Sequence, residues 1–343
     1  MLMVIRGSTL SIGWVHDRYV NFVLAGVQGN YTGTNLDAPN WMKNNLGLLK
    51  GKKLKEICIA GSHDSGMSAR GTGTAGAFDC NTLTQSRDVG HQLKLGVRYF
   101  DIRPVISSGG FYTGHYGKVG SSWQGANGQS IQSIISDVNA FAGSHNELVV
   151  LNFSHSLNTD VGNSSYRPFD QSEWNRLFNS LDGLGNLYVA DKDSDLTDFE
   201  LGRFVDGRAA VLVIVEEGGI DFGGRLGKGF YKYNSFNVYN KYSDTNDLNT
   251  MVEDQVKKMR ESSDRQYFLL SWTLTQDGVQ AATCALGTAY SIIDLAKIAS
   301  GVLADRLYPK ISPTSYPNII YVDNVDRSDA AAMAMAVNWS VLS

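Results

Sequence analysis

LKLGVRYFDIR, residues 93–103, decides the fold when it is read with GSHDS at 61–65 and FYTGHYG at 111–117. These stretches put histidines, aspartates and an arginine at the ends of three apolar runs: His63 and Asp64, then Asp101 and Arg103, then His115. The runs EICIAG, GVRYFDI and GGFYTG are short, β-rich and mostly apolar, as buried parallel strands are. Polar residues at the C-terminal ends of successive parallel strands meet on one rim, where barrels and open α/β sheets build their sites. Two imidazoles, a guanidinium and orienting carboxylates supply a general base, a general acid and an anion clamp. That set suits phosphoryl transfer without a metal. A lone His at a strand end is usually structural, and Asp-x-Arg is often only a local ion pair. Five such residues so close along the chain are hard to ascribe to packing.

Outward from this stretch, strands are expected at 56–60, 97–102, 111–114, 148–153, 209–215, 236–239, 267–273 and 319–323. SIQSIISDVNAFAGSH (130–145) carries a helical apolar stripe that ends at a glycine, and AYSIIDLAKIASGVLADRL (289–307) is a second amphipathic helix. Strand-like runs separated by longer amphipathic stretches predict an α/β fold, an irregular (β/α)8 TIM-type barrel. Residues 1–40 alternate apolar and polar positions and end in the turn-rich NYTGTNLDAPN. They read as a β-rich extension of two or three strands, with the barrel in 41–343. MSARGTGTAGAFDCNT (67–82) is too glycine-rich to be wholly helical.

With 343 residues, 43% of them hydrophobic, and only 6 prolines, the chain can bury a large core. Thirty Lys+Arg against 34 Asp+Glu leave a net charge of −4, so there is no basic footprint for nucleic acid and no polybasic membrane patch. Cys58, Cys80 and Cys284 are too few and scattered for a disulfide framework or a zinc site. One bridge, Cys58–Cys80 or Cys80–Cys284, is open to them, but three buried thiols are the simpler reading. No run reaches the roughly 18 apolar residues of a membrane helix. MLMVIRGSTLSIGW, with an arginine inside it, is a poor signal peptide.

GSHDS, LGVRYFDIRP and GHYG together resemble the X-region of phosphatidylinositol-specific phospholipase C, in its bacterial-type, metal-independent branch. The likeness runs from about Leu54 to Asp326 and returns in FNVYNKYSD (236–244), YFLLSWT (267–273) and PNIIYVDNVD (317–326). The resemblance implies a phosphatidylinositol diacylglycerol-lyase that yields diacylglycerol and inositol 1,2-cyclic phosphate, and that can extend to glycosylphosphatidylinositol anchors. It implies no cofactor, a monomer, peripheral contact with a membrane surface and a secreted location, with a cytoplasmic one as the alternative.

In this reading His63 is the general base and Asp323 orients it, with Asp326 as the rival carboxylate. His115 is the general acid, supported by Asp64 and secondarily by Asp101. His91 is the rival imidazole, read as structural. Arg103 occupies the place of a carboxylate in calcium-dependent relatives, so a fixed cation replaces the ion and clamps the phosphate. Tyr242 and Asn240 correspond to a Tyr and an Asp that grip the inositol in the family, and the Asn weakens an acceptor. Two basic family positions have no clear equivalent: Ser154 and His155 stand near one, Glu216 and Glu217 near the other. Substrate-binding candidates are thus Tyr242, Asn240, His155 and Glu216. Phe78, with Phe222, Phe230 and Tyr231, is the expected apolar membrane contact. Two alternatives are a metal-dependent glycerophosphodiester phosphodiesterase or sphingomyelinase D-like barrel, and a non-catalytic lipid-binding barrel. Asp101-Ile102-Arg103 stands where the metal enzymes carry Glu-x-Asp, which disfavours the first.

Overall fold

The computed structural model describes residues 2–6, 11–17, 20–27, 30–262 and 266–342. Its centre is one parallel sheet built from eight strands: β1 Ile59–Ser62, β2 Val97–Ile102, β3 Leu148–Phe153, β4 Ala210–Val215, β5 Phe230–Lys232, β6 Val238–Asn240, β7 Tyr267–Ser271 and β8 Ile319–Val322. They neighbour one another in the order 5-4-3-2-1-8-7-6, every pair parallel. That is a barrel opened between β5 and β6. The opening has a local cause, because only the 3-10 turn Tyr233–Phe236 joins those strands and no crossover helix lies between them.

The β3 and β4 strands, LVVLNF and AVLVIV, are buried at every position. Such continuous apolar runs are what a sheet covered on both faces demands. The outer layer includes the helices Ile131–Ala142, Gln171–Leu181, Leu248–Ser262 and Ile292–Gly301. Three of these start at a side-chain cap: Ser130 accepts from the Ser133 amide, Asp170 forms a capping box with Glu173, and Ser291 forms one with Asp294. The expected helix 289–307 is two pieces, the second being Leu303–Leu307.

Two expectations need correction. The run 111–114 is not a barrel strand: it lies in Gly110–Val119, the middle of an antiparallel hairpin set with Pro104–Ser107 and Ser122–Ser130. Ser108 and Gly109 both have positive φ (51° and 75°), and Ser107 pairs with Gly110 across this two-residue turn. A parallel return needs a crossover of about a dozen residues, which the short step after Ile102 does not contain. The place it left is filled by β5, whose three residues are too few for a periodic signal. Among the described residues the N-terminal strands are four, Leu2–Arg6, Ser11–Asp17, Val20–Val27 and Asn30–Asp37, paired antiparallel in chain order. Of the turn-rich NYTGTNLDAPN, Asn30–Asp37 pairs with Val20–Val27, and only Ala38–Asn40 is a 3-10 turn.

Candidate active site

The chain leaves β1 at Ser62, and the next two residues point opposite ways. His63 faces the cavity above the sheet, while Asp64, in left-handed backbone at φ 42°, turns its carboxylate inward and is fully buried. Its amide donates to Asp101 Oδ2 at 3.1 Å and the Ser65 amide to the Asp101 carbonyl at 2.8 Å, which fixes this turn against β2. His63 Nδ1 lies 2.7 Å from Asp323 Oδ1, just beyond β8. Its Nε2 lies 2.8 Å from Arg103 NH2. A guanidinium can only donate, so Nε2 accepts and Nδ1–H donates to Asp323, which makes the imidazole neutral at rest. Burial pulls the His63 pKa down, but the charge and hydrogen bond of Asp323 outweigh it against Arg103, and the net position is above the ordinary value.

Arg103 follows β2 and reaches His63 and two carboxylates. Its Nε donates to Asp101 Oδ2 at 3.0 Å and its NH1 stands 3.6 Å from Asp64 Oδ2. Asp101 also accepts from Tyr321 Oη and Ser154 Oγ, each at 2.7 Å. Burial would raise the Asp101 pKa, but the charges of Arg103 and His63 and the Ser154 hydrogen bond hold it well below the usual carboxylate range. Asp101 therefore stays an anion and a fixed anchor for the guanidinium.

His115 comes from the hairpin strand Gly110–Val119, not from the barrel. Its Nδ1 meets Asp64 Oδ2 at 2.7 Å, while the other Asp64 oxygen is buried with no hydrogen-bond partner. Asp101, expected as a second support for His115, is bound to Arg103 instead, because both side chains leave the end of β2. Asp326 pairs with Arg87 at 3.5 Å and does not reach His63. His91 lies on the outside, 2.7 Å from Asp88, the N-cap of helix Val89–Lys94.

These groups open into one cavity of about 630 Å³, whose lining includes His63, Arg103, His115 and Asp323. The arc from the end of β3 round to β7 adds His155, Glu216, Tyr233, Asn240, Tyr242 and Ser271. Glu217, next to Glu216, turns away and accepts from the Ser156 amide at 2.9 Å. Tyr321 has no place in the sequence-based expectations, and Ser154, named there only beside a substrate-contact position, is instead a partner of Asp101. Only register shows them, since Tyr321 pairs with Ser271 and Gly61 on the neighbouring strands. Among the described residues no cluster of three or more His, Cys, Asp or Glu is arranged to hold a metal.

Two further expectations change at the rim. Cys80 and Cys284 form a disulfide, with only Cys58 left as a buried thiol. The sequence separation of 204 hid the pair, because it joins the loop after β1 to the loop after β7. Of the aromatics expected at a membrane, Phe78 is 44% exposed, but Phe222, Phe230 and Tyr231 are buried. Phe222 stacks on Phe178 with ring centroids 5.3 Å apart, and the Tyr231 hydroxyl donates to the Tyr188 carbonyl at 2.7 Å.

No family model matches the chain. A curated relative, the 1-phosphatidylinositol phosphodiesterase of Staphylococcus aureus, is 34% identical over 107 residues, 31% of this chain and 29% of that protein. The matched part is thus less than a third of that relative's length. Among solved structures, the S. aureus phosphatidylinositol-specific phospholipase C superposes with a TM-score of 0.61 at 19% identity, covering 88% of this chain and 97% of that one. The phosphatidylinositol-specific phospholipase C of Listeria monocytogenes gives a TM-score of 0.58 at 14% identity, covering 87% of this chain and 98% of that one. The chain thus has the irregular TIM-type barrel fold of the bacterial phosphatidylinositol-specific phospholipases C, and over 107 residues it resembles the S. aureus 1-phosphatidylinositol phosphodiesterase in sequence.

Proposed function

We propose that this protein is a phosphatidylinositol diacylglycerol-lyase, a metal-independent phospholipase C that releases diacylglycerol and inositol 1,2-cyclic phosphate. One observation carries the proposal: two imidazoles, each held through Nδ1 by a buried carboxylate, meet a guanidinium in one cavity. The inositol 2-hydroxyl attacks the neighbouring phosphorus while His63 Nε2 takes its proton, and the bond from phosphorus to the glycerol oxygen breaks. His115 gives a proton to that oxygen, a poor leaving group without an acid. Arg103 bonds two non-bridging phosphate oxygens and balances the charge that grows on them. At rest its NH2 occupies the Nε2 lone pair of His63. An arriving phosphodiester draws the guanidinium to itself and frees the base, so substrate binding arms the catalyst.

Glycosylphosphatidylinositol anchors are a second substrate class for this chemistry. The Cys80–Cys284 disulfide favours an oxidising, extracytoplasmic setting, and the exposed Phe78 favours peripheral contact with a lipid surface. Residues 41–343 form the catalytic unit of this proposal, with 1–40 as an extension and a monomer as the working state. The test is phosphorus NMR of purified protein with phosphatidylinositol and excess chelator. Appearance of the five-membered cyclic phosphate is the expected result. Activity that needs calcium, or a linear phosphate as first product, refutes the assignment.

A further inference from the structure

One phenol at the phosphate end touches both the base and the anchor of the clamp. Tyr321 lies on β8, two residues before Asp323, and the alternation of a strand turns both toward the cavity they line. The Tyr321 hydroxyl donates to Asp101 Oδ2 at 2.7 Å, and its ring centroid stands 5.3 Å from that of His63. Burial pushes the Tyr321 pKa well above the ordinary value, so the phenol stays protonated and donates. The ring is also fixed in place. Tyr99 of β2 meets it edge-on with centroids 6.3 Å apart. Gly61 of β1 leaves room for it, since a Cβ there would stand 2.6 Å from Ile319 Cγ2 and 3.3 Å from Tyr321 Cδ2. That is the packing reason for the glycine that opens GSHDS.

Asp101 is where the hydroxyl acts. Its Oδ2 accepts from Tyr321, from Arg103 Nε at 3.0 Å and from the Asp64 amide at 3.1 Å, while Oδ1 accepts from Ser154 Oγ at 2.7 Å. An ionised carboxylate takes about four hydrogen bonds, so Asp101 is fully engaged. The neutral donors disperse its charge and fix its plane. Arg103 is tethered to it through Nε, and its NH2 reaches His63. With one neutral donor fewer, the carboxylate would pull harder on the guanidinium and draw NH2 off His63.

We propose that Tyr321 is a positioning residue that sets where Arg103 stands between His63 and an arriving phosphodiester, its hydroxyl acting through Asp101 and its ring bearing on the imidazole. This rests on the reading of His63 as base and Arg103 as phosphate clamp. The clamp has to pass from His63 Nε2 to the phosphate without leaving Asp101. A carboxylate already engaged by neutral donors orients the guanidinium through Nε and leaves the rest of the fork free to turn. Ser154, after β3, supports the other oxygen. Because ionised Asp101 only accepts, Ser154 Oγ donates to it and takes the hydrogen bond of His155 Nδ1, 2.8 Å away.

The experiment titrates the His63 imidazole by NMR without substrate, and measures turnover separately. The titratable and charged groups facing His63 are Asp323 beyond β8, Arg103 and Asp101 at the end of β2, and His155 after β3. Y321F alters none of them and keeps the ring, so a shift in it travels through Asp101 and Arg103. Asp101 raises the His63 pKa and Arg103 lowers it. In Y321F the Asp101 charge is less offset and Arg103 recedes, so both changes push the His63 pKa up, by about half a unit, a fraction of the roughly one to three units that a full neighbouring charge exerts. On phosphatidylinositol kcat should fall about tenfold, part of the roughly 10²-fold cost of a 1 Å misplacement, with KM within about twofold. Tyr321→3-fluorotyrosine keeps the shape, strengthens the donor and should move the His63 pKa the other way. A merely structural Tyr321 would lower the melting temperature and leave the titration where it was. An unmoved or lowered His63 pKa in folded Y321F overturns the proposal, as does an unchanged kcat in a protein that cleaves phosphatidylinositol. Should Y321F not fold, the fluorinated phenol decides, and the absence of a downward shift overturns it. A shifted titration in a protein that leaves phosphatidylinositol intact removes the lyase reading and leaves the coupling of Tyr321 to His63 standing. Cleavage with an unmoved titration does the reverse.

Discussion

Arg103 touches the base, its own anchor Asp101 and, more distantly, the carboxylate behind the acid. R103A should lower turnover by about 10²–10³, the usual cost of removing one donor to a developing oxyanion. H63A and H115A should each cost about 10³ or more at unchanged melting temperature, near the upper range for an acid–base step. A phenolic leaving group separates the two roles: it should rescue H115A in part and H63A not at all. Rescue of both would take His63 out of the base role. His63 acts only when neutral, and its pKa lies above the ordinary imidazole value, so the acid limb of kcat/KM should lie above it too. Asp323 raises that pKa, so D323N should move the limb to lower pH as well as slow the reaction. A limb that stays put in D323N assigns it to another group. His63, Asp64, Asp101, Arg103, His115 and Asp323 could all be picked from short motifs, because each follows directly on an apolar run or sits at its end. Tyr321 could not, nor could the role of Ser154, since their hydrogen bonds to Asp101 depend on which strands lie side by side.

At the scale of elements, the loops after β1 and β7 behave as one wall. Besides the disulfide, Asn81 Nδ2 donates to the Ala281 carbonyl at 2.9 Å and Gln276 Nε2 to the Cys80 carbonyl at 3.1 Å. Asn81, Gln276 and Ala281 all line the cavity, and Phe78, Val279, Leu286 and Tyr290 are exposed on the same pair of loops. Closing so long a loop stabilises by about 5 kcal/mol in the chain-entropy model. C80S/C284S should therefore melt earlier by several degrees, and should lose more activity on bilayer lipid than on a short-chain soluble substrate. An unchanged melting temperature would mean that the hydrogen bonds alone hold the wall. Elements were legible where an apolar run was long or periodic: β2 and β3 lie at the expected residues, and helix Ile131–Ala142 within the expected 130–145. They were not legible where tertiary pairing decides. GGFYTG has strand composition, and only the positive-φ pair Ser108–Gly109 at its start turns it into a hairpin rather than a barrel strand. Phe222 and Phe230 look like exposed loop aromatics in sequence, yet both pack on Phe178 of the helix between β3 and β4.

For the whole molecule, the question is how a protein of net charge −4 reaches lipid. A polybasic surface would contribute about 1 kcal/mol for each Lys or Arg near an anionic leaflet, and that term is screened by salt. The stapled rim offers apolar and aromatic side chains instead, and these partition into the interface largely independently of ionic strength. Among the described residues no helix is long and apolar enough to cross a membrane. Raising salt from about 0.05 to about 0.5 M, which shortens the Debye length severalfold, should then weaken binding to phosphatidylinositol-containing vesicles by less than about twofold. F78S/Y290S should weaken vesicle binding about tenfold, roughly the transfer free energy of one large side chain, while sparing cleavage of the short-chain substrate. Co-sedimentation at both salt concentrations checks the first expectation and paired assays check the second. A tenfold loss of binding with salt would put the attraction in charge rather than in the rim. Equal losses on both substrates would mean that Phe78 and Tyr290 hold the cavity wall instead of meeting lipid.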